Sequence, residues 1–386
     1  MSDKVVDFLL NHVVNGGGGG SATLIPKSIT ANGRYVAAND NADGYSEVTV
    51  AVQAESRENE LVKRSVYGEY INASVTSVGD YAFYACQQMT SVNLPEVTKI
   101  GSNAFNGCLR LQSANLPKVQ MVGNRAFKDT ALHQLSLPAC TSVNIYAFSE
   151  ARSLESVSIP NVTDISLAQN LFEYCSKLQE IEIGAITKIP SNCFSSCQSL
   201  ESVDFKEVTQ IESSAFSNCS KLKSVDFPLV TLIPGNVFQN CIALTSVNLP
   251  SVIQCGYSAF NGCKALVNIV LPACTALSSF AFLSCNALET VDLPVCKNLN
   301  FAGIFQNCTN LKAVILRSTD GVVQVMSNAF NPSGIASKTG YIYVPASLID
   351  AYKANTNWST YASQFRALED YTVDGTTTGA LDPNKI

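Results

Sequence analysis

One residue type recurs along this chain at a nearly constant interval, and that interval limits the folds open to it. Phe83, Phe105, Phe127, Phe148, Phe172, Phe194, Phe216, Phe238, Phe260, Phe282, Phe305 and Phe330 are separated by 22, 22, 21, 24, 22, 22, 22, 22, 22, 23 and 25 residues. A unit that short cannot bury an apolar face by itself, so the twelve must stack and share one core. Length alone would divide 386 residues into two or three globules. A stack grows by adding rungs at constant cross-section, and at about 4.8 Å per rung twelve coils make a rod or arc of roughly 55 Å.

Aligned on the phenylalanine, the units share a longer pattern. The chain reads LESVDFKEVTQIESSAFSNC from Leu200 and LTSVNLPSVIQCGYSAFNGC from Leu244, which condenses to L-x-x-V-x-L-P-x-V-x-x-I-x-x-x-A-F-x-x-C. The first part alternates apolar and polar with period two and ends at a proline, which cannot donate to a ladder; it predicts a short strand that stops abruptly. V-x-x-I predicts a second short extended piece. The A-F-x-x-C part, rich in Ser, Asn and Gly, predicts a turn with inward anchors.

Fourteen cysteines would ordinarily raise the question of a disulfide framework. Their positions answer it differently. Cys86, Cys108, Cys175, Cys197, Cys219, Cys241, Cys263, Cys285 and Cys308 each stand three residues after the repeat phenylalanine, and Thr130, Ala151 and Ser333 fill the same slot in the remaining units. Small residues interchange in a packing slot, which a metal site or redox centre would not accept. Cys140, Cys274 and Cys296 replace the second valine of the pattern, Cys255 its isoleucine and Cys193 its alanine. Neighbouring rungs would bring column cysteines within disulfide range, but the expectation is a column of buried thiols that says nothing of an oxidising compartment.

Composition excludes several activities. Two histidines, His12 and His133, leave little room for His-built zinc or acid–base chemistry. His133 has no nucleophile motif around it. A net charge of −6 is the wrong sign for a nucleic-acid surface. No segment is long and apolar enough to span a membrane, and no cofactor motif is present.

The repeat pattern resembles the leucine-rich repeats of BspA-like proteins, found in bacteria of mouths and guts and in some protists, over about residues 67–345. The resemblance implies a leucine-rich repeat solenoid, right-handed and curved, whose L-x-x-V-x-L strands form a parallel sheet on one face. It also implies surface proteins that adhere to host proteins or other cells, with no catalysis by the repeats. The family motif consists of core positions, so no functional residue carries over from it.

The flanks read differently. Val5, Phe8, Leu9 and His12 predict an amphipathic helix over residues 1–15, interrupted by polar residues and lacking a cleavage site, so not a signal peptide. Residues 16–21 are a Gly-rich linker. Residues 22–53, with turn signals at Asn32-Gly33 and Asp43-Gly44 and alternating Val48, Val50 and Val52, predict a small β-hairpin module. That module resembles an element of phage-like and gut-bacterial structural proteins. A charged cap is expected over 54–66. Residues 346–370 predict a helical cap that also looks like the segment closing BspA-like arrays, with a helix near Ser347–Lys353 presenting Leu348, Ile349 and Tyr352. Trp358, Tyr361 and Phe365 would cover the open end of the core, as terminal repeats require; Trp358 as a ligand platform is the alternative. Residues 371–386 form a polar tail.

In a pleated strand the residues flanking the inward valine face away from the core. One such column runs Asn93, Asn115, Ser136, Ser158, Glu182, Asp204, Asp226, Asn248, Val270, Asp292 and Ile315; the other runs from Ser91, Ser113 and Gln134 through Ser156 and Glu180 to Asn268, Thr290 and Ala313. Glu180, Glu182, Asp204, Asp226, Asn248 and Asp292 are the candidate ligand-binding residues, for a basic or hydroxyl-rich partner; the same polar residues would also make an ordinary solvated face. Asp204 and Asp226 on adjacent rungs would stand about 5 Å apart, a spacing retaining glycosidases use, but a flat sheet offers no cleft to grip a sugar. Ca²⁺ is a further candidate for the pair, but no calcium loop motif accompanies it, so a bound cation there would be adventitious.

The expectation is therefore a non-enzymatic binding or adhesion scaffold for a host or bacterial surface protein or glycan, without cofactor or metal. A structural or receptor-binding component of a phage-like particle is the alternative, and a glycan-cleaving enzyme a distant third. The family resemblance places the protein at the cell surface; the absence of a signal peptide leaves a cytoplasmic or particle-associated location open.

Overall fold

The computed structural model describes residues 26–29, 35–37, 68–73 and 75–370. The expected N-terminal helix, Gly-rich linker, hairpin turns, charged cap over 54–66 and polar tail lie outside these residues. Pro26–Ile29 and Tyr35–Ala37 pair antiparallel. The chain divides into two compact units, Met1–Ala185 and Ile186–Ile386; within each, the described residues from Gly68 to Ala185 and from Ile186 onward form parallel-strand solenoid coils about 22 residues long.

In the first unit the L-x-x-V-x-L strands Gly68–Ile71, Met89–Asn93 and Ser113–Asn115 form one parallel sheet, and Gln134–Ser136, Ser156–Ile159 and Glu180–Ile183 form another. Their registers, Ser91↔Ser113 and Ser156↔Glu180, pair equivalent slots of consecutive coils. The V-x-x-I pieces make a second parallel wall from Ser77–Val78 through Lys99–Ile100 and Met121–Val122 to Ser142–Val143. The second unit repeats the plan, with a five-stranded sheet running from Asn268–Val270 to Phe365–Ala367 and a five-stranded second wall from Leu232–Ile233 to Gln324–Val325.

Between the walls the repeat phenylalanines stack. Phe83, Phe105, Phe127, Phe148 and Phe172 follow one another at centroid separations of 5.1, 5.2, 6.0 and 5.4 Å. In the second unit a like stack runs from Phe194 to Phe330, with the Phe260 and Phe282 rings nearly parallel, at 5.2 Å and 2°. Such offset contacts add to the burial of each ring. Tyr70 tilts over Phe83 at 4.8 Å at one terminus, and Trp358 closes on Phe330 at 5.8 Å at the other.

Trp358 is fully buried and its indole N–H donates to the Val323 carbonyl at 2.7 Å, so it cannot serve as an exposed ligand platform. It sits after a single helical turn, Ala346–Leu348, and the short helix Ile349–Ala354, whose Tyr352 is buried while Leu348 and Ile349 are half-buried.

The A-F-x-x-C segment is more regular than the turn its composition predicts. Tyr81, Phe83 and Ala85 donate to Ser102, Ala104 and Asn106 of the next coil at 2.7–2.8 Å, so this segment is a third hydrogen-bonded wall. Every coil from that of Phe83 to that of Phe305 bends here by placing two residues, four apart, in the left-handed region, as in Asn103 with Gly107, Asn192 with Ser196, and Asn236 with Asn240. A left-handed conformation costs most side chains about 1–2 kcal/mol, and Asn and Gly least. That favours the Asn and Gly of the segment, although Tyr81, Arg125, Tyr146 and Phe280 take the same conformation.

The cysteine column contributes more than volume. All fourteen cysteines are buried thiols. The thiols of Cys108, Cys175, Cys219, Cys241, Cys263, Cys285 and Cys308 donate to the phenylalanine carbonyl of the preceding coil at 3.0–3.2 Å. Thr130 in the same slot donates its hydroxyl to the Phe127 carbonyl at 2.9 Å. Burial pushes the Cys219 thiol up to about 12 and raises Cys108, Cys175 and Cys263 in the same direction. At neutral pH these groups therefore keep the proton that the bond needs.

Candidate functional site

The six candidate residues fall in both units and in different surroundings. In the first unit Glu180 and Glu182 are exposed on the strand Glu180–Ile183, and Glu182 accepts the Ser158 hydroxyl at 2.5 Å. In the second unit Asp204 is exposed, lies outside any strand and pairs with Lys206 at 3.6 Å. Asp226 accepts the Asn248 side-chain amide at 2.8 Å. The two aspartates thus have separate partners, an ordinary arrangement for surface carboxylates.

Asp292 does not belong with them. It is 1% exposed, and Arg317 grips its carboxylate with Nε at 3.1 Å from both oxygens and a terminal nitrogen at 2.7 Å. Burial raises its pKa above the ordinary carboxylate value, and the Arg317 contacts offset that only in part. Its whole neighbourhood is closed. Thr290, Ala313, Ile315 and Tyr343 occupy outward slots yet are 0–4% exposed. Ala313, Ile315 and Tyr343 form an apolar cluster against which Tyr341 and Leu368 pack. The outward columns are apolar here, and Leu368 covers them just after the strand Phe365–Ala367, which pairs with Tyr341–Val344. Asp292 is accordingly a structural ion pair, and its assignment to a ligand surface is corrected.

The sheet face of the first unit is not uniform, and its shallow relief lies away from Asp204 and Asp226. An open depression of about 530 Å³ lies on the sheet face there, lined by Glu69, Ser91, Asn93, Gln112, Ser113, Asn115, His133 and Gln134, with Val92 and Ala114 at its floor. It lies where the strand ladder is interrupted: Ser113–Asn115 pairs back to Met89–Asn93 and Gln134–Ser136 pairs forward to Ser156–Ile159, but no ladder joins the two. Asn115 donates to Asn93 Oδ1 at 2.8 Å, and His133 Nδ1 lies 3.9 Å from Glu155.

Two sequence signals mark the place. The interval from Ser113 to Gln134 is 21 residues where the neighbouring one, Ser91 to Ser113, is 22, and Ala114 replaces the valine of the pattern. Attention to charge drew the candidate list to the acidic block instead, whereas the depression is lined mainly by amides and hydroxyls.

No described helix is long and apolar enough to cross a membrane. No curated protein sequence matches the chain. The family pattern described as BspA type leucine rich repeat region (6 copies) matches residues 69–166, 120–244 and 231–350. Among solved structures the chain is similar to a leucine-rich repeat protein from Bacteroides ovatus, at 25% identity over 73% of this chain and 84% of that one, with a TM-score of 0.46. It is also similar to a leucine rich cell surface protein from Faecalibacterium prausnitzii, at 24% identity over 64% and 84% with a TM-score of 0.39, and to a leucine-rich repeat protein from Eubacterium ventriosum, at 21% over 79% and 91% with a TM-score of 0.43.

Proposed function

The chain belongs to the BspA type leucine-rich repeat family, and from that premise we propose that it is a non-enzymatic binding scaffold, displayed at the cell surface, which recognises a protein or glycan through the outward side chains of its strands. The observation that carries this reading is the in-register presentation of polar side chains, as in Ser156↔Glu180 and Ser158↔Glu182, on walls held by stacked phenylalanines. A partner meeting such a face encounters donors and acceptors already fixed in place, which lowers the ordering cost of association. The acidic side chains Glu180, Glu182, Asp204 and Asp226 favour a basic or hydroxyl-rich partner, while Asn248 supplies an exposed amide.

The test is binding of the intact chain to a panel of matrix proteins and bacterial surface glycans, before and after combined Glu182→Lys, Asp204→Lys and Asp226→Lys substitution. Weakened binding to at least one ligand is expected. Equal binding to every ligand by parent and variant would acquit the acidic side chains, and the absence of any ligand would count against the scaffold reading. Protease treatment of whole cells tests surface display: the chain should be cut while cytoplasmic proteins stay intact.

A further inference from the structure

We propose that the depression on the sheet face of the first unit is a binding site for a neutral oligosaccharide. This rests on the reading of the outward face as a contact surface and narrows it to one place and one ligand class.

The chemistry of the lining carries the argument. Lysine and arginine are absent from it, so nothing there compensates a phosphate, sulfate or carboxylate, and the Glu69 carboxylate opposes such groups. Its other polar members are amides, hydroxyls and one imidazole. Amides and hydroxyls both donate and accept, as sugar hydroxyls do. The Asn93–Asn115 contact uses one donor and one acceptor, which leaves the Asn93 amide N–H groups and Asn115 Oδ1 for a ligand among the described contacts. Repetition at one strand spacing adds Ser91 and Ser113 in register on adjacent strands, a row along which consecutive hydroxyls of a sugar chain can lie.

Shape supports the same class. The depression, about 530 Å³, is shallow and open to solvent, so a ligand lying in it keeps one side in water, which a hydroxyl-rich chain tolerates better than an apolar one. A protein partner would need a desolvated pocket for an aromatic or arginine anchor, and the floor residues do not make one: Val92 is 2% exposed and turned to the core. With no aromatic ring in the lining, affinity comes from hydrogen bonds, each worth about 1 kcal/mol net.

The experiment is an array of neutral, sialylated and sulfated glycans probed with the intact chain, followed by calorimetry on the best neutral ligand and hydrogen exchange with and without it. Binding to a neutral oligosaccharide is expected, with protection at residues 91–93, 112–115 and 133–134. Combined Asn93→Ala and Asn115→Ala should weaken it about thirtyfold, two net hydrogen bonds, with an unchanged melting temperature; Gln254→Ala, on the other wall, should leave it unaltered. Should the double variant fail to fold, Ser113→Val and the exchange pattern of the parent chain carry the test. Preference for anionic glycans, protection elsewhere, or full affinity in the variants would overturn the site. If the chain binds a protein through the acidic side chains but no neutral glycan, the scaffold reading stands and this site falls; if it binds neither, both fall.

Discussion

The outward slots of the first unit and those near the end of the second follow the same repeat, yet their surroundings are opposite. Ser113, Asn115, Gln134 and Ser136 are open or half-open to solvent, whereas Thr290, Asp292, Ala313, Ile315 and Tyr343 are closed to it. The strands have the same pleat and the same parallel register. What differs is the side chains in the outward slots and what packs across them. Amides and hydroxyls in the first unit favour water, while an apolar cluster in the second gains by burial and is joined by Tyr341 and Leu368. The lesson is that an outward position in a repeat strand is an orientation; whether it is a surface depends on residues that do not repeat.

The largest expected effect separates the two regions directly. Tyr343→Ala should destabilise the second unit by about 3–5 kcal/mol, as truncation of a fully buried aromatic does. Hydrogen exchange is the suitable measure, since repeat arrays open by neighbouring coils. A loss below 1 kcal/mol, roughly the scale of a surface change, would break the comparison.

Next comes the Asp292–Arg317 pair. Arg317→Leu leaves a buried carboxylate without its guanidinium and should cost about 3 kcal/mol at pH 7. The pH dependence has a definite sign. Asp292 already has a folded pKa above its unfolded value, so its folded form takes up a proton more readily, and the stability it contributes is present at low pH and lost as pH rises through the folded pKa. Removing Arg317 raises that pKa further. The penalty should therefore shrink as pH falls from 7 toward 4, and a pH-independent penalty would show that the carboxylate is not its source.

A smaller effect sharpens the comparison by holding the core constant. Cys108→Ala in the first unit and Cys241→Ala in the second each remove a buried thiol and its bond to a phenylalanine carbonyl, at a cost of about 1–2 kcal/mol. Chemical denaturation should give similar losses for both. Unequal losses would place the difference between the regions in the core instead of on the face. Both thiols should also resist alkylation in the native protein, as mass spectrometry of labelled chains can establish.

The smallest effect lies on the open face. Asn115→Ala should change stability by no more than about 0.5 kcal/mol despite its ladder bond to Asn93, because both amides are accessible to water. A larger loss, seen in thermal melts, would mean that the amide row supports the fold, and its availability to a ligand would then be in question.

Much of this was legible in the residues. The phenylalanine interval, the proline that ends most of the L-x-x-V-x-L strands and the small-residue slot three positions after phenylalanine are local signals repeated in register, so a single coil's chemistry is read many times over. The thiol hydrogen bonds were not legible, because a packing column and a donor column have the same residue types; only the distance to the carbonyl of the preceding coil separates them. Nor was the third wall. Ser, Asn and Gly announce left-handed backbone, but a loose turn and a hydrogen-bonded strip share that composition. Asp292 was misplaced because its slot repeats while Arg317 and Leu368 do not.

The sequence by itself determined the coil: its length, its inward residues and therefore its fold class, since an apolar slot at each repeat can be satisfied only by stacking on the next coil. The tertiary structure alone decided which outward residues meet water. Exposure is set by neighbours from unlike parts of the chain, as where Tyr341 and Leu368 close over Ile315 or where a ladder lapses between Asn115 and Gln134. Core packing is a property of one coil and its two neighbours, and a repeat encodes it; the accessible surface depends on how non-repeating segments come to lie, and a repeat does not encode that.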